Sequence, residues 1–381
     1  MTMATNTVAL ESPSEEVAFA TRGGVGVITL NRPKALNALT LEMIRAMRPV
    51  LEGWASEPAI AGGVIEGEGE KAFCAGGDVR AVWKAGKEFE PAGGFVPRLC
   101  ADDALPRRFF FEEYQLNHLI HNFPKPFIAI LDGVTMGGGV GLSIHGSHRI
   151  ATDRIMCAMP ETAIGLFPDV GGSWSLPRMP GKLGLYFALT GARAKTADAV
   201  YAGFATQTVP HQKISALLDA FASADWAAYD TSASGVDQIL ESHSEAAGEP
   251  ELANHKILID RTFGKSSVEA IIAALEAERG GADAAFVEET IKTLGGRSPT
   301  SMKLAFEQLK RGADQDFETC MTMEFRLAQF CMAGHDFYEG IRAVLVDKDH
   351  APVWSPGKLS EVDYDVIQAA YAPLGDRALT F

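Results

Sequence analysis

Three consecutive glycines, Gly137, Gly138 and Gly139, constrain this chain more than any other stretch. They follow an apolar run, Phe127 to Leu131, which Pro126 and Asp132-Gly133 bound as a short buried strand. After them Val140, Leu142 and Ile144 keep helical spacing. A glycine run leading into a helix leaves backbone N–H groups bare, aimed outward at the positive end of the helix dipole. Such a place holds an anion, or an oxygen that becomes one during a reaction. Two carboxylates follow: Glu161 after Met159-Pro160, and Asp169 after Phe167-Pro168. A proline before an acid fixes one backbone torsion and limits where the acid can point. The apolar neighbours Met159, Ile164, Leu166 and Phe167 would strip water from both acids and push them towards neutral pKa values, as acid–base chemistry requires. An oxyanion pocket beside a carboxylate pair suits the chemistry of acyl groups.

A second glycine loop runs from Lys71 to Val79, and its Gly76-Gly77 lets the backbone approach a ligand closely. One N–H from each loop makes a two-donor oxyanion hole. The other constellations read as structural. His145 and His148 lack an acid or Cys at ligand spacing. Ser143 and Ser173 lie outside any G-x-S-x-G elbow. Cys74 has no marked base. No Walker lysine and no dinucleotide fingerprint are present, so neither nucleotide hydrolysis nor nicotinamide binding is indicated.

The formal charge of -15 argues against nucleic acid and an anionic membrane surface as partners. It leaves an anionic small ligand open. No apolar run approaches the ~20 residues of a membrane span. The five scattered cysteines, without a CxxC pair, read as reduced thiols. The start, MTMATNTVALESPSEE, has neither a basic n-region nor an apolar h-region. These features together predict a soluble, cytoplasmic protein.

The chain, 381 residues with 47% hydrophobic content, divides by pattern into three parts. Residues 1–16 read as a flexible arm. Residues 17–210 carry the strands: a hairpin over Val17–Leu30, a helix over about 40–56, a strand at 63–67, a turn-rich stretch at 86–106, and a helix over about 107–122. Two short helices follow, broken at Gly191. A strand–strand–helix unit recurs before residue 56, around 60–85 and at 127–165. From residue 211 to 381 alanine-rich helical patterns replace the strands.

The runs KAFCAGGDV and MGGGVGLS, with NRPKALNAL near the start, resemble the crotonase (enoyl-CoA hydratase/isomerase) superfamily. The runs MPETAIGLFPDVGG and DFYEGIRAVLVDKDHAPVW are similar to those of its thioester-hydrolysing branch. The resemblance spans roughly residues 17–357. It implies an α/β fold, a crotonase-like spiral of ββα units with a helical C-terminal region. It also implies hydrolysis of a branched 3-hydroxyacyl-CoA thioester of valine breakdown, with no metal or redox cofactor. By position it gives Gly77 and Gly138 as oxyanion donors, flanked by Gly76 and Gly137. Glu161 and Asp169 become the catalytic acids, and Glu113 a substrate contact. Arg32, Lys34 and Lys71 are candidates for the CoA phosphates. Association with further copies of the chain stays open. One departure bears on the reaction. Hydratases of the superfamily carry a first catalytic glutamate two residues past the glycine run, where this chain has Gly141. Adding water to a double bond uses two carboxylates around one water, so this loss argues against hydration.

Overall fold

A computed structural model describes residues 7–88 and 102–381. By backbone contacts the chain divides into two compact units. The first comprises residues up to Gly77, Leu116–Cys157 and Ala194–Glu251. The second comprises Asp78–Gln115, Ala158–Arg193 and Leu252–Phe381.

The first unit is built on strands β1 (Thr7–Leu10), β2 (Val17–Arg22), β3 (Val25–Leu30), β4 (Gly62–Gly67), β5 (Ala72–Cys74), β6 (Phe127–Leu131), β7 (Val134–Met136), β8 (His148–Ala151), β9 (Met156–Ala158) and β10 (Gln207–Thr208). Seven form one sheet in the order β1-β2-β3-β4-β6-β8-β10, and three form another in the order β5-β7-β9. The recurring pair explains the arrangement. In β4-β5, β6-β7 and β8-β9 the first strand joins the large sheet and the second the small one. Pairing from β3 to β10 is parallel, so each strand is approached from both faces and β6 is buried at every residue.

The two faces of the large sheet are filled differently. Val25, Val27, Val64, Ile128 and Ile150 pack with Leu217, Phe221, Val236 and Leu240. Those four lie on helices Ile214–Ser223 and Ser232–His243. Alternate residues point the other way. There Gly26 leaves room for the Trp54 ring, which a Cβ would approach to 2.5 Å. Trp54 closes helix Leu41–Ser56, whose Met43, Ile44, Met47 and Leu51 are buried as the apolar stripe predicts.

The NRPKALNAL run forms a knot between sheet and helix. Leu36 and Asn37 both take left-handed backbone, at φ 52 and 54. Asn37 tolerates that region because its short amide bonds locally. It is fully buried, donates to the Glu68 and Ala72 carbonyls at 3.0 and 2.9 Å, and accepts from the Arg32 N–H at 2.9 Å.

In the second unit helix Leu105–His121 contributes its residues through Gln115. Helices Leu183–Thr190, Glu251–Phe263, Val268–Glu276, Ala284–Gly295, Pro299–Gly312 and Phe317–Ala333 supply most of the rest. The caps match the sequence signals. Ser298 accepts from the Ser301 N–H ahead of Pro299, and Gly191, at φ 64, ends Leu183–Thr190.

Two expectations are corrected. Thr7–Leu10, read as part of a flexible arm, pairs antiparallel with β2 from Thr7↔Arg22 to Leu10↔Phe19. The helix opened by the glycine run is a single turn, Gly138–Gly141, because consecutive glycines propagate a helix poorly. Of the turn-rich stretch at 86–106, residues 89–101 lie outside the described residues.

Asn37→Ala is expected to lower unfolding free energy by about 2–4 kcal/mol, since two buried carbonyls and one N–H lose their partner. Chemical denaturation of the two proteins measures the difference.

Candidate active site

The glycine loops follow adjacent parallel strands of the small sheet, Gly76-Gly77 after β5 and Gly137 to Gly139 after β7. Their closeness depends on missing side chains. A Cβ on Gly139 would lie 2.2 Å from the Cys74 carbonyl oxygen. One on Gly76, at φ +117, would lie 3.4 Å from the Met136 oxygen and 4.0 Å from the Gly138 nitrogen. Gly137, at φ 48, turns the chain so that Gly138 opens the helical turn. The first N–H groups of a helix have no acceptor within it. The Leu39 N–H bonds the Gly76 carbonyl at 2.8 Å. The two glycine loops thus lie close together. Gly141 is buried with the rest of the turn and brings no acid to it.

The acids belong to the second unit, and each is nearly or wholly buried. Glu161 is 4% exposed, Asp169 4% and Glu113 2%. Glu161 starts the 3-10 turn Glu161–Ile164, which ends at Gly165 with φ 70. That turn is fixed on several sides. A Cβ on Gly165 would meet the Asp336 carbonyl at 2.1 Å. The Ser298 N–H bonds the Thr162 carbonyl at 3.0 Å, and the Thr162 hydroxyl donates to Leu189 at 3.2 Å. The Asp169 carboxylate accepts from the Tyr114 hydroxyl at 2.8 Å. By contrast, Glu161 Oε2 and Glu113 Oε1 are buried without a hydrogen-bond partner among the described residues. Native interiors rarely leave such atoms unpaired, and a substrate group is one thing that satisfies them.

The three acids feel one another. Burial, then the charge of Asp169, holds the Glu161 carboxyl well above the usual range. Burial, then Asp169 and Glu161, does the same to Glu113. Asp169 is raised by burial to about 7, with the Tyr114 hydroxyl opposing the rise.

Two residues at this cluster were not singled out in the sequence. Tyr114 sits next to Glu113 in a helix rich in aromatics and reads as core. Glu324 is fully buried and accepts from the Gly171 and Ser173 N–H groups, both at 2.8 Å. Burial lifts its carboxyl to about 8. A signal was available: Cys320, Met321, Leu327 and Ala328 make that face of the helix apolar, so an acid there is out of pattern.

The residues offered for CoA phosphates are placed less decisively. The Arg32 guanidinium bonds Glu16 at 2.9 Å and the Ala38 carbonyl at 2.6 Å, while Lys34 and Lys71 are exposed. His148 bonds Ser147 and Asp237. The Ser143 hydroxyl returns to the Gly139 and Val140 carbonyls. Among the described residues no group of three or more potential ligands could hold a metal ion, and no helix is long and apolar enough to cross a membrane.

The chain is 47% identical over 358 residues to a Xenopus tropicalis protein named 3-hydroxyisobutyryl-CoA hydrolase, mitochondrial, covering 94% of this chain and 89% of that one. It is 43% identical over 373 residues to the Homo sapiens protein of the same name, covering 97% and 91%. A crystal structure titled a carnitinyl-CoA dehydratase, from Mycobacterium thermoresistibile, superposes with a TM-score of 0.85 at 40% identity, covering 97% of this chain and 99% of that one. The relatives' mitochondrial names overturn the cytoplasmic placement. An organelle address sits in a leader that takes no part in the fold, so composition does not report it. The enoyl-CoA hydratase/isomerase family pattern matches residues 25–371, and with paired glycine loops on a ββα spiral the chain belongs to that family, the crotonases.

Proposed function

We propose that this chain hydrolyses 3-hydroxyisobutyryl-CoA to 3-hydroxyisobutyrate and free CoA, a step of valine breakdown. The observation that carries the reading is the buried trio Glu113, Glu161 and Asp169, combined with Gly141 where hydratases of the family hold their first glutamate. The named relatives support the same substrate.

The reaction has the following parts. The thioester carbonyl oxygen accepts from the Gly77 and Gly138 N–H groups. Charge on that oxygen grows in the transition state, so each donor contributes roughly 3–4 kcal/mol there. Glu161, once ionised, drives attack at the carbonyl carbon by one of two routes. As nucleophile it forms a mixed anhydride, the C–S bond breaks, and water then opens the anhydride. As base it takes a proton from water, which attacks directly. In both routes the leaving thiolate takes up a proton. Asp169, held by Tyr114, receives the substrate 3-hydroxyl, and Glu113 offers its unpartnered oxygen to the same acyl group. The exposed Lys34 and Lys71 suit the CoA phosphates better than Arg32, which is already engaged. The chemistry calls on no metal or redox group.

Glu161→Gln is expected to lower kcat for thiol release by at least about a hundredfold, with KM little changed. Free-thiol titration with 3-hydroxyisobutyryl-CoA measures it, and near-native turnover removes Glu161 from the chemistry. Burial raises the Glu161 carboxyl above the usual carboxylate range, so kcat/KM should climb with pH above that range. A flat profile from pH 6 to 9 contradicts that role. Stability should run the opposite way. A buried acid whose folded pKa exceeds its unfolded one adds stability below the unfolded value and loses it as pH rises. Melting curves should therefore show Glu161→Gln gaining on the native protein as pH rises above the ordinary carboxyl value of 4.5. Crotonyl-CoA should show no hydration; a rapid loss of enoyl absorbance favours the hydratase reading.

A further inference from the structure

We propose that Glu324, on helix Phe317–Ala333, is a positioning residue that holds the turn behind Asp169 in its working geometry. The proposal rests on the hydrolase reading and extends it to the helical C-terminal part of the chain.

The turn is strained. Val170, directly after Asp169, has φ 52, and Gly171 follows at φ 89. Glycine adopts that region freely, but a β-branched residue there is a genuine outlier. Such backbone persists only where its surroundings over-determine it. Here the surroundings are explicit. The Gly171 N–H donates to Glu324 Oε2 and the Ser173 N–H to Oε1, each at 2.8 Å. The Ser173 hydroxyl also donates to Oε1. On the other flank Gln308 donates to the Pro168 carbonyl at 2.6 Å.

The Glu324 carboxyl meets two backbone donors, the Gly171 N–H at one oxygen and the Ser173 N–H at the other, whereas an amide would turn a donor towards one of them. An apolar residue would leave two N–H groups buried and unpaired, and the turn would relax to find partners. Relaxation would rotate Val170 out of the left-handed region. That motion carries Asp169 away from the Tyr114 hydroxyl. Glu324 itself is fully buried and does not need to touch substrate to act.

Glu324→Ala tests this, assayed by free-thiol release from 3-hydroxyisobutyryl-CoA beside the native protein and Glu161→Gln. The expected result is a kcat lower by roughly 10–100-fold with KM within about threefold, as displacement of a reacting group by about 1 Å produces. Adding Val170→Gly should restore kcat at least about fivefold, because glycine holds the turn without strain. A purely structural role would not respond to that second change. Native kcat per folded molecule in Glu324→Ala overturns the proposal, and so does a kcat loss that Val170→Gly leaves untouched. If Glu324→Ala does not fold, Glu324→Gln, of nearly the same volume, is read by the same criteria. Native thiol release by Glu161→Gln would instead overturn the hydrolase reading, and this proposal with it.

Discussion

Burial of carboxyl groups is the constraint on which the second unit depends. Glu113, Glu161, Asp169 and Glu324 are each at most 4% exposed. Removing a carboxylate from water is expensive, and several in one place cannot all ionise. The unit answers by giving each acid a different environment. Asp169 receives a hydroxyl and Glu324 receives two backbone N–H groups and a hydroxyl, while Glu161 and Glu113 each keep one oxygen without a partner among the described residues. The helices around them, with Phe325, Leu327, Phe337 and Ile341 wholly buried, supply the apolar burial that offsets the cost.

In the first unit the corresponding constraint is close approach of backbone to backbone. Donors can converge on one oxygen only if two loops come nearer than side chains allow. Parallel pairing of β5 and β7 brings both loops to the same edge of a small sheet. Gly139 against the Cys74 carbonyl then sets how near they come. Ligand sites of parallel sheets commonly lie past the carboxyl ends of strands, and here the same geometry is repeated in a three-stranded layer. Asn37 ties this layer to the large sheet by bonding both Glu68 and Ala72, so the NRPKALNAL run supports the donors from behind.

Much of this could be read from the residues in order. The hairpin over 17–30, the helix ending near Trp54, the strand Phe127–Leu131 and the helix Pro299–Gly312 all carry strong local signals, and the structure has them. The ββα recurrence was visible because each unit repeats its own turn chemistry. β1 was not, since all four of its residues are exposed and an edge strand of that kind has no apolar alternation. In the site, Glu161 and Asp169 stood out because prolines and apolar neighbours flank them. Tyr114 and Glu324 did not, since their meaning comes from partners 55 and 151 or more residues away.

The sequence alone determined the pieces: the glycines that permit bare N–H groups, the prolines that aim two acids, the absence of an acid at Gly141, and the period of nearly every long helix. These are local properties, set by φ, ψ and side-chain spacing within a few residues. Tertiary structure decided which acids share one another's field, which atoms are left unpartnered, and that Glu324 closes on a left-handed valine. Desolvation and Coulomb coupling act through space between segments far apart in the chain, and no local pattern records those distances.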